Sequence, residues 1–356
     1  MREYFDLLNE PKHSTIRIIV AAVILWLLVS GSAPQAATVP TKVFFAYGTL
    51  SERMAPLWLA DDQGFFKKYG VPTELVFVRG ASTLMAGLAS GDIHVGATGG
   101  AAALAGAAGG VDATIVSILN NRANVEVMAR PGLRTPEDLR GKRFGIQSFG
   151  GNTWLFTMLA LEQLRLDPTR DNIRLLVIGD QTVLNRALET GTIDALVLST
   201  SVFSRTLKQK GFPSLRELTL AIAGVSIVVR KSLIQQQPDV AENLLKAQIE
   251  GLAFALSPRY KPSVLDTLNR RLRLSNPAFI EEVYNDIVQG LERKPYPSVE
   301  GLKNIQRLSK GQNPKLAQLK VENVIDDRFV RRLDESGFID RTYASYGVKW
   351  GSKVIK

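Results

Sequence analysis

Loops rich in glycine and hydroxyl side chains recur along this chain, and each follows a short apolar run. Their hydroxyl groups can bind a polar or anionic group, and the free backbone N–H groups at the start of a following helix strengthen such binding. Glycine in the same loops lets a ligand approach the backbone closely. The candidate ligand-binding residues are Thr49, Ser51, Arg79, Ser82, Thr83, Thr98, Gly99, Ser148, Gly150, Asn152, Thr153 and Thr200.

One stretch, Ser148–Thr153, stands out among these loops because it places two glycines and three polar side chains in a single turn. Plain helix capping is the alternative role for Ser82, Thr182 and Asn152, since these residue types lead the preferences at helix N-caps. The candidate site therefore depends on the loops acting together rather than on any one side chain.

Other side chains could contact a ligand directly. Arg79 could pair with a carboxylate or a sulfonate, or it could be an ordinary surface arginine. Tyr47, Trp58 and Trp154 could stack on an aromatic ligand, although such residues more often belong to the core. The small-residue tract Thr98–Gly110 lacks the Gly-Lys-Thr ending of a phosphate loop and indicates a tightly packed helix whose start faces the cleft.

Signatures of catalysis and metal binding are missing from the sequence. The chain has no cysteine, which excludes disulfides, thiolate zinc sites and a cysteine nucleophile. Its two histidines, His13 and His94, form no cluster, and the Gly-x-Ser-x-Gly pattern of a serine hydrolase is absent. We therefore predict no catalytic residue, no metal and no cofactor.

A regular alternation of strands and helices positions the candidate loops. Strand-forming runs at Val43–Tyr47, Glu74–Val78 and Ile93–Ala97 alternate with helical stretches. This β-α-β-α-β order predicts a parallel sheet with helices on its faces. A similar unit begins one hundred residues later, and the helix-ending glycines Gly91 and Gly191 stand at the same place in the two copies.

Two copies of this unit predict two related α/β lobes. The break at Arg130–Leu139, which contains Pro131 and Gly132, indicates a first crossing between lobes near 127–129. The apolar run Ala223–Arg230 would carry the chain back. We expect lobe 1 to comprise 38–128 plus 224–356, with the mostly helical C-terminal part, and lobe 2 to comprise 129–223.

The amino terminus predicts an export signal over residues 1–37. Lys12 and Arg17 precede a 12-residue apolar run, Ile18–Val29, and small residues follow it. An uncleaved membrane anchor is the alternative. The net charge of +10 is spread along the chain without a dense basic block or a nucleic-acid motif, which indicates a solvated surface or one that favours an anionic solute.

Several short motifs occur in an order that is informative as a set. The segment Gly64–Val71 reads GFFKKYGV, the segment Leu139–Gly145 reads LRGKRFG, and the elements Gly91–His94 and Gly191–Asp194 close two similar helices. From about 43 to 256 the chain resembles the periplasmic solute-binding proteins of nitrate, sulfonate and taurine uptake, a group with relatives that bind thiamine precursors. His94 stands where this family usually has Asp.

The resemblance implies a type II periplasmic-binding fold, with two α/β lobes and a ligand cleft between them. It further implies a periplasmic, monomeric, non-enzymatic protein that captures a small solute and delivers it to an ABC permease in the inner membrane, with no nucleic acid as partner. The candidate solutes are sulfonates, carboxylates, nitrate-like anions and pyrimidine-type heterocycles, and the glycine- and hydroxyl-rich loops favour an anion. The alternatives are a solute sensor and an enzyme similar to the thiamine-pyrimidine synthases, which use a cysteine-rich motif.

Overall fold

The computed structural model describes residues 42–179, 181–199, 202–273 and 277–349. The segment 1–37, predicted as an export signal, lies outside these residues. The short apolar runs of the sequence become strands, because their β-branched and aromatic side chains suit a buried pleated surface. The strands are β1 Val43–Tyr47, β2 Thr73–Phe77, β3 Val95–Gly99, β4 Ala113–Ile118, β5 Arg122–Ala129, β6 Arg143–Ile146, β7 Arg174–Val177, β8 Ala195–Ser199, β9 Ser214–Ala221 and β10 Val225–Arg230.

These strands form two mixed five-stranded sheets. Their orders are β2-β1-β3-β10-β4 in the first sheet and β7-β6-β8-β5-β9 in the second. In each sheet the first three strands are parallel, and the fourth strand, β10 or β5, is antiparallel to both of its neighbours. The predicted α/β fold with two lobes is confirmed, and each sheet is the centre of one lobe.

Helices connect the strands and cover the sheets. They are α1 Ala55–Asp62, α2 Phe65–Lys68, α3 Ala81–Ser90, α4 Gly100–Ala108, α5 Asn152–Gln163, α6 Gln181–Thr190, α7 Val202–Gln209, α8 Lys231–Gln236, α9 Pro238–Leu256, α10 Lys261–Leu272, α11 Pro277–Gly290, α12 Val299–Ser309, α13 Arg328–Glu335 and α14 Phe338–Ser345. The sequence indicates one helical stretch from about Pro56 to Lys68, but the structure has two helices there, because Gly64 takes a left-handed conformation with a φ of 72° between them.

The internal repeat is visible in the structure at a constant spacing. Helices α3 and α6 begin at 81 and 181, and strands β3 and β8 begin at 95 and 195. Each helix is followed by a glycine with positive φ, Gly91 at 96° and Gly191 at 79°. Glycine adopts this conformation without the steric cost that a Cβ brings, which explains why the same residue stands at both positions.

The chain passes between the sheets through two short segments. The first crossing segment, Leu119–Asn121, joins β4 to β5, and the second, Ile222–Gly224, joins β9 to β10. The sequence analysis placed the first crossing near 127–129, but β5 pairs over its whole length with β8 and β9 in the second sheet. The Pro131-Gly132 break lies within lobe 2, where it turns the chain between β5 and β6.

The core of lobe 1 is built around α9, which packs across α1. Trp58 of α1 is fully buried, and a Cβ at Gly251 of α9 would lie 2.1 Å from the carbonyl oxygen of Pro56. The glycine therefore permits the two helices to touch through their backbones. None of the described helices combines the length and the apolar character that crossing a membrane would need.

Candidate functional site

A cavity of about 280 Å³ lies where the carboxyl ends of β1, β3 and β8 meet the two crossing segments. This volume is close to the lower limit of about 300 Å³ for small-molecule pockets, so the cavity suits a small solute. The residues that line it are Thr49, Ser51, Arg53, Thr98, Gly99, Gly100, Ala101, Asn120, Gly150, Asn152, Trp154, Leu155, Phe156, Ser199, Ile222, Ala223, Gly224, Val225, Ile305 and Ser309.

Half of the candidate residues from the sequence come together at this cavity. Lobe 1 contributes residues from the carboxyl ends of β1 and β3, and lobe 2 contributes the start of α5. The six are Thr49, Ser51, Thr98, Gly99, Gly150 and Asn152. The loops at the carboxyl ends of neighbouring parallel strands thus converge, as expected for an α/β sheet.

Three other candidates lie away from the cavity. Arg79, Ser82 and Thr83 follow β2 and are exposed, and none of them lines the cavity. The reason is the strand order: β2 is the edge strand of its sheet, whereas β3 is next to β10 and the second crossing segment. The sequence revealed the loop but not its distance from the crossing.

Two members of the stretch 148–153 support the loop instead of lining the cavity. The Thr153 side chain is buried, and its Oγ1 accepts a hydrogen bond of 2.8 Å from the backbone N–H of Gln147. Ser148 is exposed, and its carbonyl oxygen accepts from the N–H of Gly151. Thr200, the last candidate, lies outside the described residues.

The capping role considered for Ser82 and Asn152 is wrong. The N-cap residues of α3 and α5 are glycines, Gly80 and Gly151, and neither helix start is capped by a side chain. Helix α4 likewise begins after an uncapped glycine, Gly99. The N-termini of α4 and α5 therefore lie at the cavity with the positive ends of their helix dipoles, one from each lobe, although the first N–H of α4, at Gly100, already donates to the carbonyl oxygens of Ala223 and Gly224.

Side-chain donors add to these backbone groups. Arg53 is the charged side chain among the described lining residues, and its Nε lies 3.2 Å from Oε1 of Glu52. Hydroxyls come from Thr49, Ser199 and Ser309, while Ser51 uses its hydroxyl to cap the turn at Arg53. The polar lining is thus dominated by groups that can donate hydrogen bonds.

The aromatic candidates separate into core and cavity. Tyr47 and Trp58 pack against each other with ring centroids 6.1 Å apart, and both are buried in lobe 1. Trp154 lines the cavity, together with Phe156 and Leu155 of the same helix. These residues add an apolar surface to the polar lining, so the cavity can hold a solute with one apolar and one polar end.

Several lining residues were missed by the sequence analysis. Arg53, Asn120, and Ile305 and Ser309 of α12 had not been considered, and the return crossing expected at Ala223–Arg230 had not been assigned to the site. One signal was present in the sequence: two consecutive asparagines, Asn120 and Asn121, lie between two apolar strand-forming runs. Polar residues at such a position can mark a site, even though neither is the proline or glycine that usually marks a break. The contribution of α12 depends on a contact between distant parts of the chain, for which the sequence gave no local sign.

Ionisable residues from both lobes lie near Arg53, which lines the cavity. Arg205 of α7 in lobe 2 lies 2.9 Å from Glu282 of α11 in lobe 1, as an ion pair without the alignment of a hydrogen bond. Burial, Glu52 and Glu282 raise the pKa of Asp286 to about 6, against the opposing effect of Arg205 and Arg53. No group of three His, Asp or Glu side chains suited to a metal occurs among the described residues.

Two sheets, two crossing segments and a cavity between the lobes define the periplasmic-binding type of fold, and solved structures agree. They include the aliphatic sulphonate binding protein SsuA of Escherichia coli (TM-score 0.62, 19% identity, 82% of this chain and 91% of that one). A sulfonate-binding SsuA of Methylobacillus flagellatus has a TM-score of 0.65 at 17% identity, over 83% and 94% of the two chains. The nitrate-binding protein NrtA of Synechocystis reaches 0.57 at 14% identity, over 83% and 89%.

A family model narrows this class. The model described as NMT1/THI5 like matches residues 51–259, which is more than half of the chain, so the protein belongs to the NMT1/THI5-like family. The matched range contains both crossing segments and most of the cavity lining. None of the curated proteins compared with the chain matches it.

Proposed function

We propose that this protein is the extracytoplasmic solute-binding component of an ABC importer, and that it captures a small anionic solute for delivery to a permease. The observation that carries the proposal is the convergence of two uncapped helix N-termini, one from each lobe, on a single cavity. Because each lobe supplies donors, a bound anion is held from both sides and favours the closed arrangement of the lobes.

The chemistry of the cavity favours an oxyanion joined to a small apolar body. Arg53, the lining hydroxyls and the helix starts would bind the oxyanion, while Trp154 and Phe156 would cover the apolar part. The family and the structural similarity to proteins named for aliphatic sulphonate and nitrate binding support this solute class. We propose organic sulfonates and carboxylates ahead of nitrate, because nitrate has no apolar part that could be buried against Trp154 and Phe156.

A catalytic role similar to the thiamine-pyrimidine synthases has less support. The sequence has no cysteine for the cysteine-rich motif of those enzymes. His94 precedes β3, and the cavity is at the opposite end of that strand. The proposed role is therefore binding and release of the solute without reaction.

Thermal unfolding with a panel of anions tests the proposal. We expect ethanesulfonate, benzenesulfonate or benzoate to raise the midpoint, because a ligand at a hundredfold excess over its Kd stabilises the folded state by about 2.7 kcal/mol. Asn152→Ala should weaken the shift, whereas Ser148→Ala, in the same loop but away from the cavity, should leave it unchanged. A protein that responds to none of the anions, or that converts one to product, would contradict the proposal.

A further inference from the structure

An asparagine in the first crossing segment has an unusual environment. Asn120 is 1% exposed and lines the cavity. Its Oδ1 accepts a hydrogen bond of 2.9 Å from the backbone N–H of Val225. Its Nδ2 is buried and has no hydrogen-bond partner among the described residues. Buried amide groups of folded proteins are almost always paired, so this donor needs an explanation.

The orientation of the amide follows from its neighbour. The Val225 N–H can only donate, so the side-chain atom that faces it must be the oxygen. The NH2 group of Asn120 is therefore on the other side. A Cβ at Gly224 would lie 2.1 Å from this Nδ2, 2.2 Å from Oδ1 and 2.3 Å from Cγ, so glycine at 224 leaves space for the whole Asn120 amide.

Asn120 also joins the two crossing segments to each other. Besides the Val225 contact, its carbonyl oxygen accepts from the N–H of Gly224 at 3.0 Å. On either side, Leu119 N–H donates to the Val225 oxygen at 2.8 Å, and Ile222 N–H donates to the Asn121 oxygen at 2.9 Å. The crossing segments thus form a short hydrogen-bonded ribbon, and Asn120 of this ribbon lines the cavity.

We propose that the Nδ2 group of Asn120 donates a hydrogen bond to an oxygen of the bound solute and so connects the solute to the hinge between the lobes. The inference rests on the proposed function and specifies it further. Because the free group is a donor, it selects a solute oxygen that accepts and disfavours a solute that presents an amino group there. Because the same side chain holds Val225, the contact acts on the segment about which the lobes rotate.

The variant Asn120→Asp tests this role with little change in shape. The new carboxylate still accepts from Val225, but it replaces the NH2 group with a second acceptor that repels an anion. With benzenesulfonate as the probe at pH 7.5, we expect the Kd from calorimetry to rise by tenfold to a hundredfold or more. Affinity should partly return near pH 4, about the ordinary pKa of an aspartic acid, where the protonated carboxyl group can donate again while benzenesulfonate keeps its charge.

Asn124→Asp is the matched control. Asn124 is exposed on β5, its Oδ1 accepts from Thr219, and it does not line the cavity, so the same change of charge should leave the Kd within twofold. Gly224→Ala is a second variant without a change of charge, and it should weaken binding by displacing the Asn120 amide. Urea unfolding without solute reports whether each variant folds.

The possible results separate this inference from the proposed function. If the wild type binds benzenesulfonate, and both Asn120→Asp and Gly224→Ala bind it equally well, the role of Asn120 is wrong and the anion receptor stands. If the wild type binds none of ethanesulfonate, benzenesulfonate, benzoate and nitrate, both ideas fail. A loss of affinity in both variants, together with recovery of Asn120→Asp at low pH, supports the hydrogen bond.

Discussion

His94 and Asp194 occupy equivalent positions in the two lobes, and each accepts a hydrogen bond from the backbone of a neighbouring strand through a different chemical group. Asp194 accepts from the backbone N–H of Arg143 at 3.0 Å, and side-chain hydrogen bonds from Arg143 lower its pKa to about 2. In lobe 1 the Nδ1 of His94 accepts the equivalent bond from Phe44 at 3.0 Å. Burial, and then the charge of Arg230, lower the pKa of His94, so the imidazole is neutral at pH 7.

Replacing His94 by Asp should stabilise lobe 1. A carboxylate would accept the same backbone N–H and also face Arg230, whose guanidinium lies beside Gly91 as that of Arg130 lies beside Gly191. We expect the free energy of unfolding at pH 7 to rise by about 1 kcal/mol. Urea unfolding measures it, and Asp194→Asn, the opposite change in lobe 2, should lower stability.

The pH dependence of the wild type provides a second check on His94. Its folded-state pKa lies below the unfolded value of about 6.5, so protonation favours the unfolded state. The contribution of His94 to stability is therefore complete above pH 6.5 and is lost as the pH falls through the folded value. In His94→Asp this loss should disappear; an unchanged acid slope would show that other groups cause it.

Individual strands and helices could be predicted from the sequence, because the residues that specify them are neighbours along the chain. In the GFFKKYG motif, Phe65 and Phe66 enter the core, while Lys68 and Tyr69 bind the buried carboxylate of Glu250 in α9 at 2.6 and 2.7 Å. The repeat was recognisable because the left-handed glycines and buried leucines return at fixed spacing. The partner of each motif, such as Glu250, depends on distant packing and was not predictable.

Asp286 of helix α11 should lower the stability of the folded protein at neutral pH. Its pKa is raised to about 6 by burial and by Glu52 and Glu282, so its charged form is disfavoured in the folded state. The contribution of protonated Asp286 to the free energy of unfolding is fully present below pH 3.8, the unfolded-state pKa, and is lost as the pH rises through the folded-state value of about 6. Asp286→Asn should therefore raise the free energy of unfolding at pH 7.5, on the order of 1 kcal/mol after solvent screening, with no gain at pH 3.5.

Denaturant unfolding of Asp286→Asn at the two pH values measures this difference. Asp266→Asn, on the neighbouring helix α10, makes the same change of charge at a carboxyl group that lies near Arg270 as well as Asp62, and it is the control for a general effect of removing one negative charge. Equal gains at both pH values would mean that Asp286 affects packing and not charge.

At the scale of the whole molecule, the arrangement of the lobes was predictable but the exact crossing was not. Strand order places the loops after the inner strands β1, β3, β6 and β8 at the cavity, whereas the loop after the edge strand β2 does not reach it. The loop at Arg79 has the same composition but follows an edge strand, so composition alone could not exclude it. The first crossing was misplaced because Pro131 and Gly132 are conspicuous, whereas Leu119–Asn121 is not.

The Arg205–Glu282 ion pair connects the two lobes and should favour closure. We expect Arg205→Gln to weaken anion affinity by about two- to fivefold, mainly through faster dissociation, because an exposed pair contributes about 0.2–1 kcal/mol. Stopped-flow dissociation and small-angle scattering, which should report a larger radius of gyration, measure both effects. Arg216→Gln, on exposed β9, is the control; an unchanged dissociation rate for Arg205→Gln would contradict the role of the pair.

The position of β10 has a consequence for how the protein is made. All five strands of lobe 2 come from one continuous piece of chain, from Arg122 to Ala221. The first sheet, in contrast, needs β10 between β3 and β4, and β4 has no other strand neighbour among the described residues. During synthesis or export, therefore, the lobe that starts first is completed last. Lobe 2 can fold while the first sheet still lacks β10 and has an unpaired strand edge. In this state the chain is most prone to aggregation and most needs a chaperone.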